Sequence, residues 1–148
     1  STLRLLDLPI FPMPTFRYNR TIHFSDTDAA GVVFFARYLS IAHEAYKEAL
    51  GANGILLAEF FSDNGVVIPI TRSEASYLRP LHAGEKICVD VTPVQSGPHS
   101  YTLDTTIWKI GPPEKKAAVI QTEHVCITST DRKKIDLPSE LTGWIDAD

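Results

Sequence analysis

The chain has 148 residues and a mass of 16.4 kDa, enough for one domain with a substantial core and too little for two ordinary ones. Hydrophobic residues make up 44% and charged residues 22%, which excludes disordered, collagen-like and disulfide-scaffold classes. Fourteen Lys and Arg against eighteen Asp and Glu leave a net charge of -4, the wrong sign for coating nucleic acid, so an anionic ligand has to meet a local basic patch.

Near the start, Leu3, Leu5, Leu6, Leu8 and Ile10 are interrupted by Arg4, Asp7 and Pro9. Residues 1–15 therefore read as a leader without a signal-peptide core, ahead of a single domain over 16–148. Phe16, Tyr18, Ile22 and Phe24 recur with period two and predict a half-buried strand ending at Ser25-Asp26. After a turn from Asp26 to Gly31, the spacing of Leu39, Ala42, Ala45, Tyr46, Ala49 and Leu50 predicts a helix packed on one face, with Gly51 as its stop. Ile55 to Phe61 reads as a short second helix.

Four strands are expected next. They span Val66 to Tyr77, Lys86 to Gln95, a third with Tyr101, Leu103, Thr105 and Ile107 on one face, and Ala117 to Ser129. Asp131 to Pro138 is a charged turn, and the tail adds a little helix. One strand, one long helix and four strands on short connections predict an α+β fold, a mainly antiparallel sheet wrapped around a central helix. Because one long helix covers only one face, pairing with a second copy is expected. The longest apolar run, Ala29 to Ala36, falls far short of the roughly 20 residues that cross a bilayer, so no membrane span is expected. Cys88 and Cys126 lie in strand-like segments and match no metal or redox spacing, which favours small core residues of a reduced, cytoplasmic protein.

Several catalytic patterns are missing. No two glycines stand four apart, so a Gly-x-Ser-x-Gly elbow is impossible, and there is no phosphate-binding Gly-rich loop. His43-Glu44 has no second His four positions after the first, and five scattered histidines form no ligand cluster, so no metal is expected. What remains is Asp26-Thr27-Asp28-Ala29-Ala30-Gly31-Val32-Val33-Phe34-Phe35, between the first strand and the long helix. Its small residues let backbone approach a ligand, its bulky ones dry a site, and the first helical turn offers unpaired N–H groups that polarise a carbonyl. An aspartate there can supply the nucleophile or general base of acyl transfer. An Asp-x-Asp before a helix also makes N-caps and Asx-turns, and the residues alone leave both open.

Ser25 to Leu50, taken with Leu78-Arg79-Pro80-Leu81-His82-Ala83-Gly84-Glu85, resembles the hot-dog thioesterases of the 4-hydroxybenzoyl-coenzyme A thioesterase type, over about Phe16 to Pro138. Within that family, Asp26 to Phe34, His43-Glu44-Ala45-Tyr46 and His124-Val125-Cys126-Ile127, with Arg132-Lys133-Lys134 after them, are most similar to the cyanobacterial 1,4-dihydroxy-2-naphthoyl-coenzyme A thioesterases of phylloquinone and menaquinone biosynthesis. The resemblance implies a homo-oligomer, a dimer or dimer of dimers, whose subunits join their sheets and form active sites at the interface. It implies Asp28 as the catalytic carboxylate, acting directly or through water, and the backbone N–H of Phe35 as donor to the thioester carbonyl. Asp26 is then structural.

Gly31, Phe34 and His43 are expected to meet the acyl group. Coenzyme A is part of the substrate, and no metal or other cofactor is implied. Arg132, Lys133 and Lys134 form the only run of three basic residues, suited to coenzyme A phosphates and equally to a solvated turn. The chain departs from the benzoyl enzyme where that enzyme's phosphate-binding residues fall, near Ser96-Gly97-Pro98, with only His99 nearby. His43 stands where the benzoyl enzyme has an acid, which implies a different acyl group. Phe35 stands where a short-acyl branch has His, which counts against that branch. The expected function is hydrolysis of an aromatic acyl-coenzyme A, with 1,4-dihydroxy-2-naphthoyl-coenzyme A foremost. The alternatives are a thioesterase for fatty acyl groups on coenzyme A or acyl carrier protein, and a non-catalytic acyl-thioester-binding module.

Overall fold

The computed structural model describes residues 16–62 and 65–147, so the leader expected at 1–15 lies outside the described residues. In chain order the elements are β1 (Phe16–Thr21), a 3-10 turn (Phe24–Asp26), α1 (Phe35–Ala52), α2 (Leu57–Phe60), β2 (Val66–Val67), β3 (Ile70–Tyr77), β4 (Lys86–Gly97), β5 (Ser100–Lys109), β6 (Lys115–Val125), β7 (Ile127–Thr128) and α3 (Ser139–Asp146). Five strands form one antiparallel sheet in the order β1-β4-β5-β6-β3, and β2 pairs separately with β7. This is the expected α+β architecture, an antiparallel sheet wrapped around one long helix.

Alternation decides which face of the sheet meets the helix. Tyr101, Leu103, Thr105 and Ile107 of β5 are all buried, as their period of two predicts, and Val89, Val91 and Ile120 join them from β4 and β6. Against them α1 turns Ile41, Ala45, Ala49 and Leu50, all essentially solvent-free. Ala45 and Ala49 keep that face thin enough for close approach. Each fully buried Leu or Ile contributes roughly 1.5–3 kcal/mol relative to exposure, so the shared face of α1 and the sheet is the main apolar source of stability.

Four expectations need correction. The first strand ends at Thr21, and Phe24 lies 86% exposed on the following turn, because three residues wound as a 3-10 turn break the alternation. Gly51 does not stop α1. The helix runs on to Ala52, and the left-handed residue past its end is Gly54 at φ +81, two positions beyond. The segment Val66 to Tyr77 is broken at Ile68-Pro69 into β2 and β3, which belong to different sheets. The strand expected over Ala117 to Ser129 is likewise divided, and Cys126, fully buried, sits in the break between β6 and β7. Cys88 and Cys126 are free thiols in the interior.

β3 is the sheet's outer strand on one side, pairing only with β6 among the described strands. α3 packs near β4, burying Leu141 and Trp144 beside the Tyr46 and Tyr101 rings.

Candidate active site

The loop from Thr27 to Phe34 is held by backbone bonds that present Asp28 to solvent. Asp28 N–H donates to Val32 O (2.9 Å), Gly31 N–H to Asp28 O (3.0 Å), and Val33 N–H to Leu81 O (2.9 Å), which ties the loop to the turn before β4. Gly31 closes the turn at φ +82, a conformation that disfavours a side chain even though a Cβ would meet nothing within 4 Å. One carboxylate oxygen of Asp28 accepts the Ala30 N–H (2.8 Å) in an Asx-turn. The other has no partner among the described residues. Asp28 is thus at once a turn former and an exposed carboxylate.

The loop delivers the chain into α1 through Phe34, whose N–H donates to Asp26 O (2.9 Å) and whose side chain provides no cap. The N–H groups of Phe35 and Ala36 have no partner among the described residues, and they carry the partial positive charge of an 18-residue helix. The Phe34 and Phe35 rings, 4.8 Å apart, are 44% and 62% exposed and leave an apolar rim at the helix start. Behind it, Val33, Phe35, Tyr38, Tyr77, Leu78, Arg79 and Pro80 line a hollow of about 370 Å³.

Asp26 is spent internally. Its carboxylate accepts the Arg20 guanidinium (2.6 and 3.2 Å) and the His23 N–H (2.7 Å), with both charged side chains at most 6% exposed. Burial works against its charge, but the Arg20 and His23 hydrogen bonds outweigh that and hold its pKa below the ordinary value. Arg20 also reaches Glu44 on α1 (2.8 and 3.2 Å), and Tyr18 O–H donates to the same carboxylate (3.0 Å). One guanidinium therefore fastens β1, the root of the Asp28 loop and α1 together. The sequence carried a signal for it. Arg20 lies on the same strand face as Tyr18 and Ile22, and a charge on an inward face implies buried partners.

A groove runs along α1 on the β3 side. One lobe, about 500 Å³, is bounded by Leu39, His43, Lys47, Ile70, Leu103 and Thr122 among others. A second, about 630 Å³, adds Leu50, Leu57, Phe61 and Ile68, and the two share His43, Tyr46, Lys47, Ile70 and His124. His43 is exposed on the helix at the groove's edge. His124, which the motif reading placed only within a matching stretch, lies at the groove wall 1% exposed. Burial first, and the field of His43 second, lower its pKa to about 4. Its ring stacks on Tyr101 at 4.8 Å, and its Nε2 is hydrogen-bonded to Thr122 Oγ1 (2.8 Å). The Tyr46 and Tyr101 hydroxyls bond to each other, and burial pushes Tyr46 up to about 12.

Arg132, Lys133 and Lys134 are exposed in the turn after β7, with Arg132 at φ 57. Thr128 organises that turn: its backbone exchanges bonds with Lys133 O and Arg132 N–H, and its hydroxyl binds Asp131. One subunit does not bring this run to Asp28. β7 pairs with β2 beside the Ile70 end of β3, whereas the Asp28 loop meets Leu81-His82 beyond the Tyr77 end. The eight residues of β3 put ~26 Å between these ends. His43, eight residues into α1 from Phe35, likewise stands ~12 Å along the helix from the amide site.

Among the described residues no helix is long and apolar enough to cross a membrane, and no three His, Cys, Asp or Glu side chains gather as metal ligands.

The model of a family described as the thioesterase-like superfamily matches residues 22–145. A 1,4-dihydroxy-2-naphthoyl-CoA hydrolase of Microcystis aeruginosa is 44% identical over 128 residues, 86% of this chain and 91% of that protein. One of Thermosynechococcus vestitus is 38% identical over 134 residues, 90% of each chain. The crystal structure of a 1,4-dihydroxy-2-naphthoyl-CoA thioesterase from Synechocystis superposes with a TM-score of 0.84 at 32% identity, covering 88% of this chain and 94% of that one.

Proposed function

The chain belongs to the thioesterase-like superfamily, and on that footing we propose that it is an acyl-coenzyme A thioesterase of hot-dog fold whose substrate is 1,4-dihydroxy-2-naphthoyl-coenzyme A. The observation that carries the chemistry is the open first turn of α1, with the partnerless Phe35 N–H, following a loop that exposes the Asp28 carboxylate. The thioester oxygen binds the Phe35 N–H, where charge growing on it in the tetrahedral transition state is stabilised by about 3 kcal/mol. Asp28 acts on the carbonyl carbon, either attacking it or drawing a proton from the attacking water. The carbon–sulfur bond breaks and the sulfur leaves as coenzyme A thiol, while one water is consumed, either in the attack itself or in opening the anhydride that Asp28 forms, and the acyl product is 1,4-dihydroxy-2-naphthoate. Gly31 and Phe34 lie at the approach to this point, His43 meets the acyl ring, and Arg132, Lys133 and Lys134 bind coenzyme A phosphates.

These groups act as one site only across two copies of the chain. Among the described strands β3 pairs on one side alone, and antiparallel pairing of its other edge with β3 of a second copy sets the Ile70 end of one strand beside the Tyr77 end of the other. The groove and basic run of one subunit then serve the Asp28 loop of its neighbour, in a dimer or dimer of dimers. The free interior thiols support a reducing, cytoplasmic setting.

Asp28→Asn keeps the turn-forming oxygen but not the charge. In a thiol-release assay on 1,4-dihydroxy-2-naphthoyl-coenzyme A it is expected to lower kcat by about 10²–10⁴ with the fold intact. Wild-type turnover in the variant removes Asp28 from the reaction. A panel of aromatic and aliphatic thioesters on the wild type tests the acyl group: preference for long aliphatic chains favours the fatty acyl reading, and tight binding without hydrolysis favours a binding module.

A further inference from the structure

We infer that His124 and Thr122, in the wall of the α1 groove, form a recognition point for a ring hydroxyl of the acyl group, and so set the enzyme's preference for hydroxylated aromatic thioesters. The inference rests on the proposed hydrolysis of such an ester and names the residues that select it.

His124 borders both lobes of the groove, yet its other surroundings are aromatic: Tyr101 stacked at 4.8 Å and 6°, and Tyr46 at 5.0 Å. These rings fix its plane. Nε2 is engaged by Thr122 Oγ1, and Nδ1 has no hydrogen-bond partner among the described residues. Burial keeps the imidazole uncharged at neutral pH, so one nitrogen carries a proton and the other a lone pair. If the Thr122 hydroxyl donates to Nε2, Nδ1–H is left to donate. If Nε2–H donates to Thr122, Nδ1 is left to accept. A phenolic hydroxyl, both donor and acceptor, satisfies either state, whereas a methylene chain or an unsubstituted ring satisfies neither and, on filling the groove, shuts that nitrogen off from water without a partner.

The rest of the groove suits a flat ring. Leu39, Leu103 and Ile70 supply apolar walls, and His43 borders the same lobe, its ring 5.7 Å from Tyr46, placing a second imidazole on the opposite, helical side. The Tyr46 hydroxyl is bonded to that of Tyr101, in a pair where either can be the donor.

The test compares kcat/KM for 1,4-dihydroxy-2-naphthoyl-coenzyme A and 2-naphthoyl-coenzyme A in the wild type and in His124→Phe, which keeps a ring on Tyr101 but removes both nitrogens. The wild type is expected to favour the hydroxylated ester by at least about tenfold, the scale of one net hydrogen bond. H124F is expected to bring that ratio close to one, chiefly by losing the hydroxylated substrate. An unchanged ratio in H124F, or an equal fall for both esters, overturns the inference. If H124F does not fold, Thr122→Val takes its place: a reduced ratio supports the inference and an unchanged one overturns it. A wild type that hydrolyses both esters equally well overturns the inference while leaving the thioesterase reading standing. A wild type that releases thiol from neither overturns both.

Discussion

Replacing Arg20 by Met keeps most of the stem and removes the guanidinium, leaving the buried Asp26 carboxylate with only the His23 N–H among the described residues. Losing one partner of a buried pair costs about 3 kcal/mol or more, so Arg20→Met is expected to lower the urea midpoint sharply, and an unchanged midpoint contradicts this account. His124 makes a different, pH-dependent contribution. The unfolded chain binds its proton at the ordinary value of 6.5, whereas the folded chain holds it to about 4. Between these values the unfolded state carries the extra proton, so stability rises with pH across the window, by up to about 3 kcal/mol. The groups facing it are His43 and Tyr46 on α1, Tyr101 on β5 and Thr122 on β6, with Lys47 and Glu44 lining the same groove. Denaturation at several pH values should show this slope in the wild type and a flatter one in H124F. Asp28 was legible because its neighbours in sequence form a motif. Arg20, Glu44 and His124 were harder to see, because Arg20 meets Asp26 and Glu44 at separations of 6 and 24 residues, His124 stacks on rings from β5 and α1, and strand parity hinted only at Arg20 pointing inward.

The two glycines at the end of α1 separate what periodicity can tell from what it cannot. Gly51 is helical and a Cβ there meets nothing within 4 Å, so Gly51→Ala is expected to stabilise by about 0.5–1 kcal/mol. Gly54 is also spatially open but sits at φ +81, so Gly54→Ala is expected to destabilise by about 1 kcal/mol. Thermal melts of the two variants should move in opposite directions, and a rise for both refutes the assignment of the stop to Gly54. The apolar spacing located α1 well, since one buried stripe dictates it. It could not place the end, because either glycine is compatible with the last buried residue, Leu50. The same limit explains the broken strands: Pro69 marks an interruption in Val66 to Tyr77, but only the separate pairing of β2 with β7 shows that the two pieces belong to different sheets.

For the molecule as a whole, the antiparallel sheet was inferred from short connections and is what the structure has, but neither the strand order nor which edge meets a second copy is announced by a chain's own sequence. If β3 edges join, the site is shared, and mixing two defective proteins restores activity. Asp28→Asn combined with a variant carrying Ala at 132, 133 and 134 is expected to recover about a quarter of wild-type activity at low substrate, since half of randomly formed dimers are mixed and each has one intact site. No recovery after subunit exchange places both groups in one chain. The aromatic cluster behind the groove offers a further consequence. Only two tryptophans exist, Trp108 hydrogen-bonded to Asp90 on the outer face and Trp144 wedged against Tyr46 and Tyr101 beneath the groove. Intrinsic fluorescence therefore has two spectrally distinct sources, a wetter indole on the outer face and a dry one within energy-transfer range of the phenols that back the α1 groove. With Trp108 changed to Phe, the remaining emission reads ligand occupancy optically, without any attached dye.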